Sequence, residues 1–452
     1  MKHIAVIDVG KTNAKLALVA ADTLQEVAVV TRPNTVLGGP PYPHFDLEGH
    51  WRFFLHHLAQ FHAAHGVDAI SVTTHGAAGV LLDAQGDLAT PMLDYEYGGP
   101  DDLAAGYDAI RPDFGETGSP RLPMGLNLGA QVHWLLETQP GLRQRVAQVL
   151  TYPQYWGFRL TGEQATDVTS LGCHTDLWNP WQGRFSPLVD RLGLAGRIAP
   201  ARRPAEVLGR LRPSLAAETG MSPDTPVSCG IHDSNASLYP YVIATEPPFS
   251  VVSTGTWVVA MSVGGAATTP DPARDVLVNV SAAGTAVPSA RFMGGREYEI
   301  IRAGARDPGT VADRNRVLGV GVMILPAVDP ASGPFRGRAM CWRGTPASEG
   351  ERMVALSFYL ALMTATCLEL TGAAGPVIVE GPFARNGDYL AMLHALRPDG
   401  VRTAVSVTGT SVGAALLCLG GRGPAPVTAA VPTPADADAL RHYGRMWRQQ
   451  LA

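Results

Sequence analysis

The chain opens on an apolar run, HIAVIDV (3–9), a polar turn, GKTN, and a second apolar run, AKLALVA (14–20). Two short apolar runs around a tight polar turn predict a β-hairpin with Asp8 at the end of its first strand. EVAVVTRP (26–33) predicts a third strand. The period then lengthens, and EGHWRFFLHHLAQFHAAHG (48–66) predicts a helix ended by Gly66. DAISVTTHGAAGVLLDAQGD (68–87) predicts strand, glycine-bearing loop, strand. AQVHWLLETQPGLRQRVAQVLTY (130–152) predicts one or two helices broken at Pro140. FSVVSTGTWVVAMSV (249–263) repeats the opening design of strand, Thr/Gly turn and strand. Two such hairpins half a chain apart predict two related lobes, with the boundary in IATEPP (243–248), hence 1–244 and 245–452. ALSFYLALMTATCLEL (355–370) carries Ser, Thr and Glu and predicts a buried core helix. ARDPGTVADRN (305–315) and GPAPVTAAVPTPADA (423–437) read as loops.

The chain has 452 residues, too many for one ordinary core, so two or three domains are expected. At 46% hydrophobic and 17% charged it is a folding chain, not a disordered one. The net charge of −5, with no basic patch or polybasic run, argues against nucleic-acid and membrane partners. Asp8 breaks the first apolar run too early for a signal peptide. Five scattered cysteines without a CxxC predict small buried thiols and a cytoplasmic protein. The 13 histidines show no zinc-site spacing. Only three of the 35 Lys+Arg residues are lysine: Lys2, Lys11 and Lys15. Lysine is a compact point charge and arginine a planar fork. A tight turn that meets a phosphate gives Lys11 a chemical reason to be lysine, whereas Lys2 and Lys15 need none.

In DVGKTN, a tight turn presents backbone N–H groups as an anion nest, with Gly10 allowing close approach. Lys11, Thr12 and Asn13 add charge and donors. A carboxylate beside a phosphate nest needs a cation between them, and Mg²⁺ binds few carboxylates plus phosphate oxygens. STGTW (253–257) offers the hydroxyls of Ser253, Thr254 and Thr256 around Gly255 in the second hairpin. No GxxxxGK[ST] loop is present. In GIHDSNASLY (230–239), Asp233 falls at a strand–helix junction, where a helix N-terminus stabilises a carboxylate as cap, catalyst or both. His232 reads as scaffold. EGPFARNGDYLAML supplies a strand end, loop and helix; VTGTSVGAALLCLG supplies a Thr/Ser loop entering a helix of small residues.

Taken in order, DVGKTNAK, TTHGAAGVLLDAQGDLATPMLDYE, NLGAQVHWLLETQP, RLTGEQATDVTS, GIHDSNAS, STGTW, VIVEGPFARN and GTSVGAALL resemble the FGGY carbohydrate kinases nearly end to end. Within that family the chain is most similar to the L-fuculose and L-rhamnulose kinase branch. It departs at Gln131, where the family usually has Lys, at the reduced glycine loop EGPFARN, and in a shortened 294–345. The resemblance implies an α/β, two-lobed actin/Hsp70/hexokinase-like (ribonuclease H-like) fold with the active site in the interlobe cleft. It implies transfer of the γ-phosphoryl of Mg-ATP to a hydroxyl of a small ketose, with L-fuculose or a similar deoxyketose foremost. L-rhamnulose, xylulose, ribulose or a related polyol or sugar acid are alternatives. A non-catalytic sugar- or nucleotide-binding regulator and a sugar-independent ATPase are the readings of another class.

The same resemblance assigns Asp233 as general base, with Asp8 and Asp233 holding Mg²⁺. Gly10, Lys11, Thr12 and Asn13 bind the transferring phosphoryl, and Ser253, Thr254, Gly255 and Thr256 bind phosphates. Gly381, Asn386, Gly409, Thr410 and Ser411 border the adenosine. Thr74, His75, Gly76, Asp94 and Asn127 surround the sugar; for His75 both a sugar hydrogen bond and simple packing stay open. A homodimer is compatible with such folds. Lys11→Arg is expected to lower kcat more than stability.

Overall fold

The computed structural model describes residues 1–305, 309–405 and 409–451. They form two compact units. The first comprises Met1–Ala244, Val278–Ala286 and Thr408–Ala425; the second comprises Thr245–Leu277, Val287–Val407 and Pro426–Ala452. A single cut after residue 244 therefore leaves out two later segments that pack with the first unit.

The first unit is built on a seven-stranded mixed sheet. Its main path runs Val207–Arg210, Pro226–Ser228, Ala69–Thr74, His3–Val9, Asn13–Ala20 and Glu26–Pro33, and Ile231–His232 also pairs with Ala69–Thr74. The opening hairpin is antiparallel, and its first strand runs parallel to Ala69–Thr74. Because side chains alternate along a strand, its apolar residues divide between two cores. Ala5, Ile7 and Val9 face a core with Phe54 and Leu58 of the helix Leu47–His65 and Trp156 of the helix Tyr152–Thr161. Ile4 and Val6 face the other core, with Ala236 of the helix Asp233–Ala244 and Ala414 of the helix Thr410–Leu417. Asp8, two residues on from Val6, emerges on this second face. There the two helices touch so closely that a Cβ on Gly413 would collide with the Ala236 carbonyl. The small residues of GTSVGAALL are a packing requirement.

The other seven-stranded sheet, most of it in the second unit, runs Val276–Val280, Ala286–Phe292, Val258–Val263, Phe249–Thr254, Val377–Glu380, Val401–Ala404 and Thr428–Ala430. Its hairpin is again antiparallel, with its first strand parallel to the strand beyond, Val377–Glu380. The helix Glu349–Leu370 is the one described helix long and apolar enough to cross a membrane. Of its most apolar 18-residue window, 89% is buried in this unit.

Four further expectations need correction. Residues Val311–Val320 form a helix where a loop was expected, because Thr310 and Asp313 close a capping box on its first turn. Thr428–Ala430, inside the Pro/Ala-rich tail, pairs with Val401–Ala404. Gln148–Thr151, expected as helix, is a strand paired with Gly79–Leu82. All five cysteines are free; Cys341 is exposed, unlike the buried thiols expected.

Candidate active site

Asp8 is 8% exposed. Its Oδ2 accepts from the Thr410 hydroxyl at 2.6 Å and the Ser411 hydroxyl at 3.4 Å, and lies 3.4 Å from Lys15 Nζ. Lys15 faces Asp8 directly across the hairpin. Burial raises the Asp8 pKa, and the Asp233 charge adds to it against the Thr410 hydroxyl and the Lys15 ammonium. Thr410 and Ser411, assigned to the adenosine border by resemblance, spend their hydroxyls on this carboxylate. Gly409 precedes them as the N-cap of the helix.

Asp233 is the first residue of its helix. Its Oδ1 accepts from the Ser234 N–H at 2.6 Å and lies 3.1 Å from His232 Nε2. The same His232 nitrogen is 3.5 Å from Cys173 Sγ. The His232 N–H donates to Thr169 Oγ1 at 3.0 Å, and Asp167, fully buried, accepts from that threonine. Burial works against the His232 imidazolium, yet Cys173 and Asp233 outweigh it and raise its pKa. His232 is thus scaffold that grips one oxygen of Asp233. Asp233 Oδ2 makes no hydrogen bond among the described residues, and the side chain is 28% exposed.

The sugar-side residues divide. His75 is packed by Phe45, Tyr95 and Tyr152, with ring centroids at 5.4, 5.0 and 5.2 Å. Its Nδ1 lies 3.1 Å from the Gly76 carbonyl, and its Nε2 is buried with no partner. Burial holds its pKa below that of an ordinary histidine. Thr74 turns its hydroxyl onto the His75 carbonyl. Gly76 is required by close approach: a Cβ there would stand 2.7 Å from His232 Nε2 and 2.8 Å from Cys173 Sγ. Asn127 is consumed by its own loop, accepting from the Leu122 N–H and donating to the Pro120 carbonyl. Gln131, in the position of the family lysine, is 2% exposed and ties the Ala77 and Gly125 carbonyls together. It is a structural clamp.

Lys11 departs furthest from expectation. Its ammonium binds the Asp94 carboxylate, lies 3.1 Å from Glu96 Oε2, and stands 4.7 Å from the Tyr95 ring centroid. Two carboxylates and an aromatic face draw it away from the turn and onto the loop of Asp94, Tyr95 and Glu96. The turn itself is closed by the Gly10 N–H donating to the Asn13 carbonyl, with Lys11, Thr12 and Asn13 at its tip.

In the second unit a cavity of about 970 Å³ is lined by Gly255, Thr256, Tyr298, Phe383 and Asn386. Two glycines allow its wall to close. A Cβ on Gly295 would strike the Gly255 carbonyl, and one on Gly381 (φ +83°) would strike the Thr254 carbonyl. Thr254 Oγ1 donates to the Glu380 carbonyl and accepts from the Phe383 N–H, so it braces the wall. Asn386 caps the helix Gly387–Leu396 by accepting from the Tyr389 N–H and donates to Ser357, which leaves one N–H and one lone pair of its amide. Ser253 precedes Thr254 at the strand end and is half-buried.

Among the described residues no group of three or more His, Cys, Asp or Glu side chains forms a metal cage. Mg²⁺ needs none, since it keeps waters and takes one or two carboxylates with phosphate oxygens. Asp8 and Asp233 repel each other, and Lys15 answers only part of that negative charge. This donor set fits one divalent cation. Lys15 was passed over in the sequence although the hairpin register pairs it with Asp8. Tyr95, Glu96 and Cys173 carried no sequence signal, because only the tertiary fold brings them to the site.

The profile of the FGGY family of carbohydrate kinases, N-terminal domain, matches residues 3–239, and that of the carbohydrate kinase FGGY C-terminal domain matches 246–426. L-fuculokinase of Escherichia coli (strain K12) is 31% identical over 204 residues, a match spanning 43% of this chain and only 41% of that protein. The crystal structure of a carbohydrate kinase from Novosphingobium aromaticivorans is 38% identical, with a TM-score of 0.93 over 100% of this chain and 99% of that one. The xylulose kinase from Rhodospirillum rubrum, 20% identical, shares the fold at a TM-score of 0.79, covering 99% and 98% of the two chains. With family profiles covering most of its length and a whole-chain structural match, this chain belongs to the FGGY family of carbohydrate kinases.

Proposed function

We propose that the protein transfers the γ-phosphoryl of ATP to a hydroxyl of a small ketose, with L-fuculose or a similar deoxyketose as the acceptor. The observation that carries this reading is Asp233: one carboxylate oxygen is held by Ser234 and His232, and the other is uncommitted. Oδ2 takes the hydroxyl proton as the sugar oxygen attacks the γ-phosphorus; ADP leaves with the electrons of the broken P–O bond. Positioned proton transfer of this kind contributes about 10²–10⁴-fold. The neutral His75, with its open Nε2, orients the sugar together with Asp94. The cavity at Gly255, Thr256 and Phe383 takes the nucleotide by shape and backbone contact. Asp8 and Asp233 would hold Mg²⁺, which when bound neutralises charge on the phosphates. The choice of L-fuculose follows the 31% identity to L-fuculokinase and the order of motifs.

The test is ADP release from Mg-ATP across ketoses, aldoses, polyols and sugar acids, with wild type beside Asp233→Asn. Strong stimulation by L-fuculose, lost by 10²-fold or more in the variant, supports the proposal. Stimulation by another ketose alone replaces the substrate and keeps the base. Sugar-independent release, or sugar binding without turnover, overturns it.

A further inference from the structure

Tyr95 stands between Asp94 and Glu96, the two carboxylates that hold Lys11. Its backbone is fixed from behind. The Gly125 N–H donates to the Tyr95 carbonyl at 2.9 Å, and a Cβ on Gly125 would stand 2.9 Å from the Tyr95 Cα. Gly125 is held in turn by Gln131, which donates to its carbonyl. The ring is fixed as well. It meets the His75 ring edge-on at 5.0 Å, lies 6.4 Å from the Phe45 ring, and has the Lys11 ammonium 4.7 Å from its centroid.

Packing explains the ring and leaves the hydroxyl unexplained. A phenylalanine would make the same contacts, and a polar tip at a half-buried position gains nothing for the fold unless it finds a partner. The Tyr95 hydroxyl makes no hydrogen bond among the described residues and is not closed off from solvent. Its surroundings decide what it can do. Burial and the charges of Glu96, Asp233 and Asp94 raise its pKa, so the phenol keeps its proton and stands as a donor. The Asp233 charge reaches both this phenol and the His75 ring, which places the open donor beside the carboxylate whose Oδ2 is uncommitted. The neighbouring Asp94 and Glu96 carboxylates only accept. A sugar hydroxyl both donates and accepts, and it is satisfied between one group of each kind.

We propose that Tyr95 is a sugar-binding residue, its hydroxyl donating to one hydroxyl of the acceptor sugar while that hydroxyl donates to a neighbouring carboxylate. The proposal rests on the sugar-kinase reading for its ligand and adds a residue that selects among sugars. A ketose that presents a hydroxyl to Tyr95 gains the bond, and one with that hydroxyl inverted does not.

The experiment compares wild type with Tyr95→Phe, which keeps the ring and removes only the hydroxyl. The probes are L-fuculose and L-rhamnulose, which differ in configuration at one carbon, and xylulose and ribulose, a second such pair. Each sugar is measured twice, by stimulated ADP release from Mg-ATP and by calorimetric titration without ATP, where nothing turns over. For the preferred sugar, KM and Kd are expected to rise at least fivefold, the size of one uncharged hydrogen bond. At least one other sugar is expected to lose less. The kcat should stay within threefold, KM for ATP within twofold, and Tm at or above wild type. Unchanged sugar affinity, a uniform loss across all four sugars, or a loss confined to kcat or Tm overturns the proposal. Turnover with unaltered sugar affinity in the variant removes Tyr95 and leaves the kinase. Binding that weakens in the variant without turnover in wild type keeps Tyr95 and removes the kinase. No binding of any of the four sugars overturns both.

Discussion

Glu297 offers a sharp test of how the second unit is held together. It lies in the first turn of the helix Gly294–Arg302, whose next residue, Tyr298, lines the cavity of about 970 Å³. It is 0% exposed. Oε1 accepts from the Asp329 N–H at 3.0 Å. Burial pushes its pKa from 4.5 up to about 7; the Asp329 charge adds to this, and the Asp329 N–H and Tyr359 hydroxyl oppose it. The folded unit therefore holds this proton more tightly than the unfolded chain. Its contribution is complete below pH 4.5 and is lost as pH rises through 7. A difference of 2.5 between those values corresponds to about 3 kcal/mol. For a unit of this size that is a shift in Tm of roughly 6–12 °C. Glu297→Gln removes the titration. Any cost of fitting its amide between the Asp329 N–H and the Tyr359 hydroxyl is independent of pH. The diagnostic is therefore the slope. In calorimetric scans at pH 5, 6, 7 and 8, wild type is expected to lose about 2.5 kcal/mol relative to the variant across that range. Parallel pH profiles for the two chains would refute the reasoning.

Lys15→Met, by uncovering the charge on Asp8, is expected to lower the Mg²⁺ concentration needed for half-maximal rate; an unchanged Mg²⁺ titration removes Lys15 from the site. Gln131→Lys restores the usual family residue but buries an ammonium among carbonyls, so a loss of about 2–4 kcal/mol is expected in denaturant melts, against the gain in activity a substrate role would give. Lys11→Met, which strips the cation from Asp94 and Glu96, is expected to raise KM for the sugar at least fivefold and leave KM for ATP within twofold. A rise confined to ATP would return Lys11 to the phosphate. For Lys11→Arg the geometry now predicts only a modest fall in kcat, since a guanidinium can also span two carboxylates.

Much of the fold was legible because the sequence changes period where the structure changes element. The hairpins at 3–20 and 249–263 are apolar runs split by polar turns, and the helix 48–66 shows its stripe and its terminal glycine. The failures have specific causes. Val311–Val320 lacks a strong apolar stripe and rests on its Thr310–Asp313 cap and its neighbours. Thr428–Ala430 is an edge strand whose pairing partner, Val401–Ala404, lies far back in the chain. Segments Val278–Ala286 and Thr408–Ala425 return to the first unit, and composition does not mark a return.

The carboxylates and the cations of the candidate site differ in how far the sequence fixes their positions, for one physical reason. Asp8 and Asp233 end strands or begin helices, so the backbone fixes where they stand. A lysine has a four-carbon stem, and its ammonium goes to the best electrostatic partner within reach. Lys11, at the turn tip, finds Asp94, Glu96 and the Tyr95 ring; Lys15, the third residue of the second strand, finds Asp8 and Glu26. None of the partners of Lys11 is its neighbour in sequence. The hairpin register, by contrast, gives the Lys15–Asp8 pair from the spacing alone, since a four-residue turn between Val9 and Ala14 places residues 8 and 15 opposite each other. The rule that follows is that a charged turn should be read through its cross-strand register before its tip. Applied to the second hairpin, Ser253 and Val259 oppose each other and no charge enters, which leaves that turn to act through backbone and glycine contacts around Gly255.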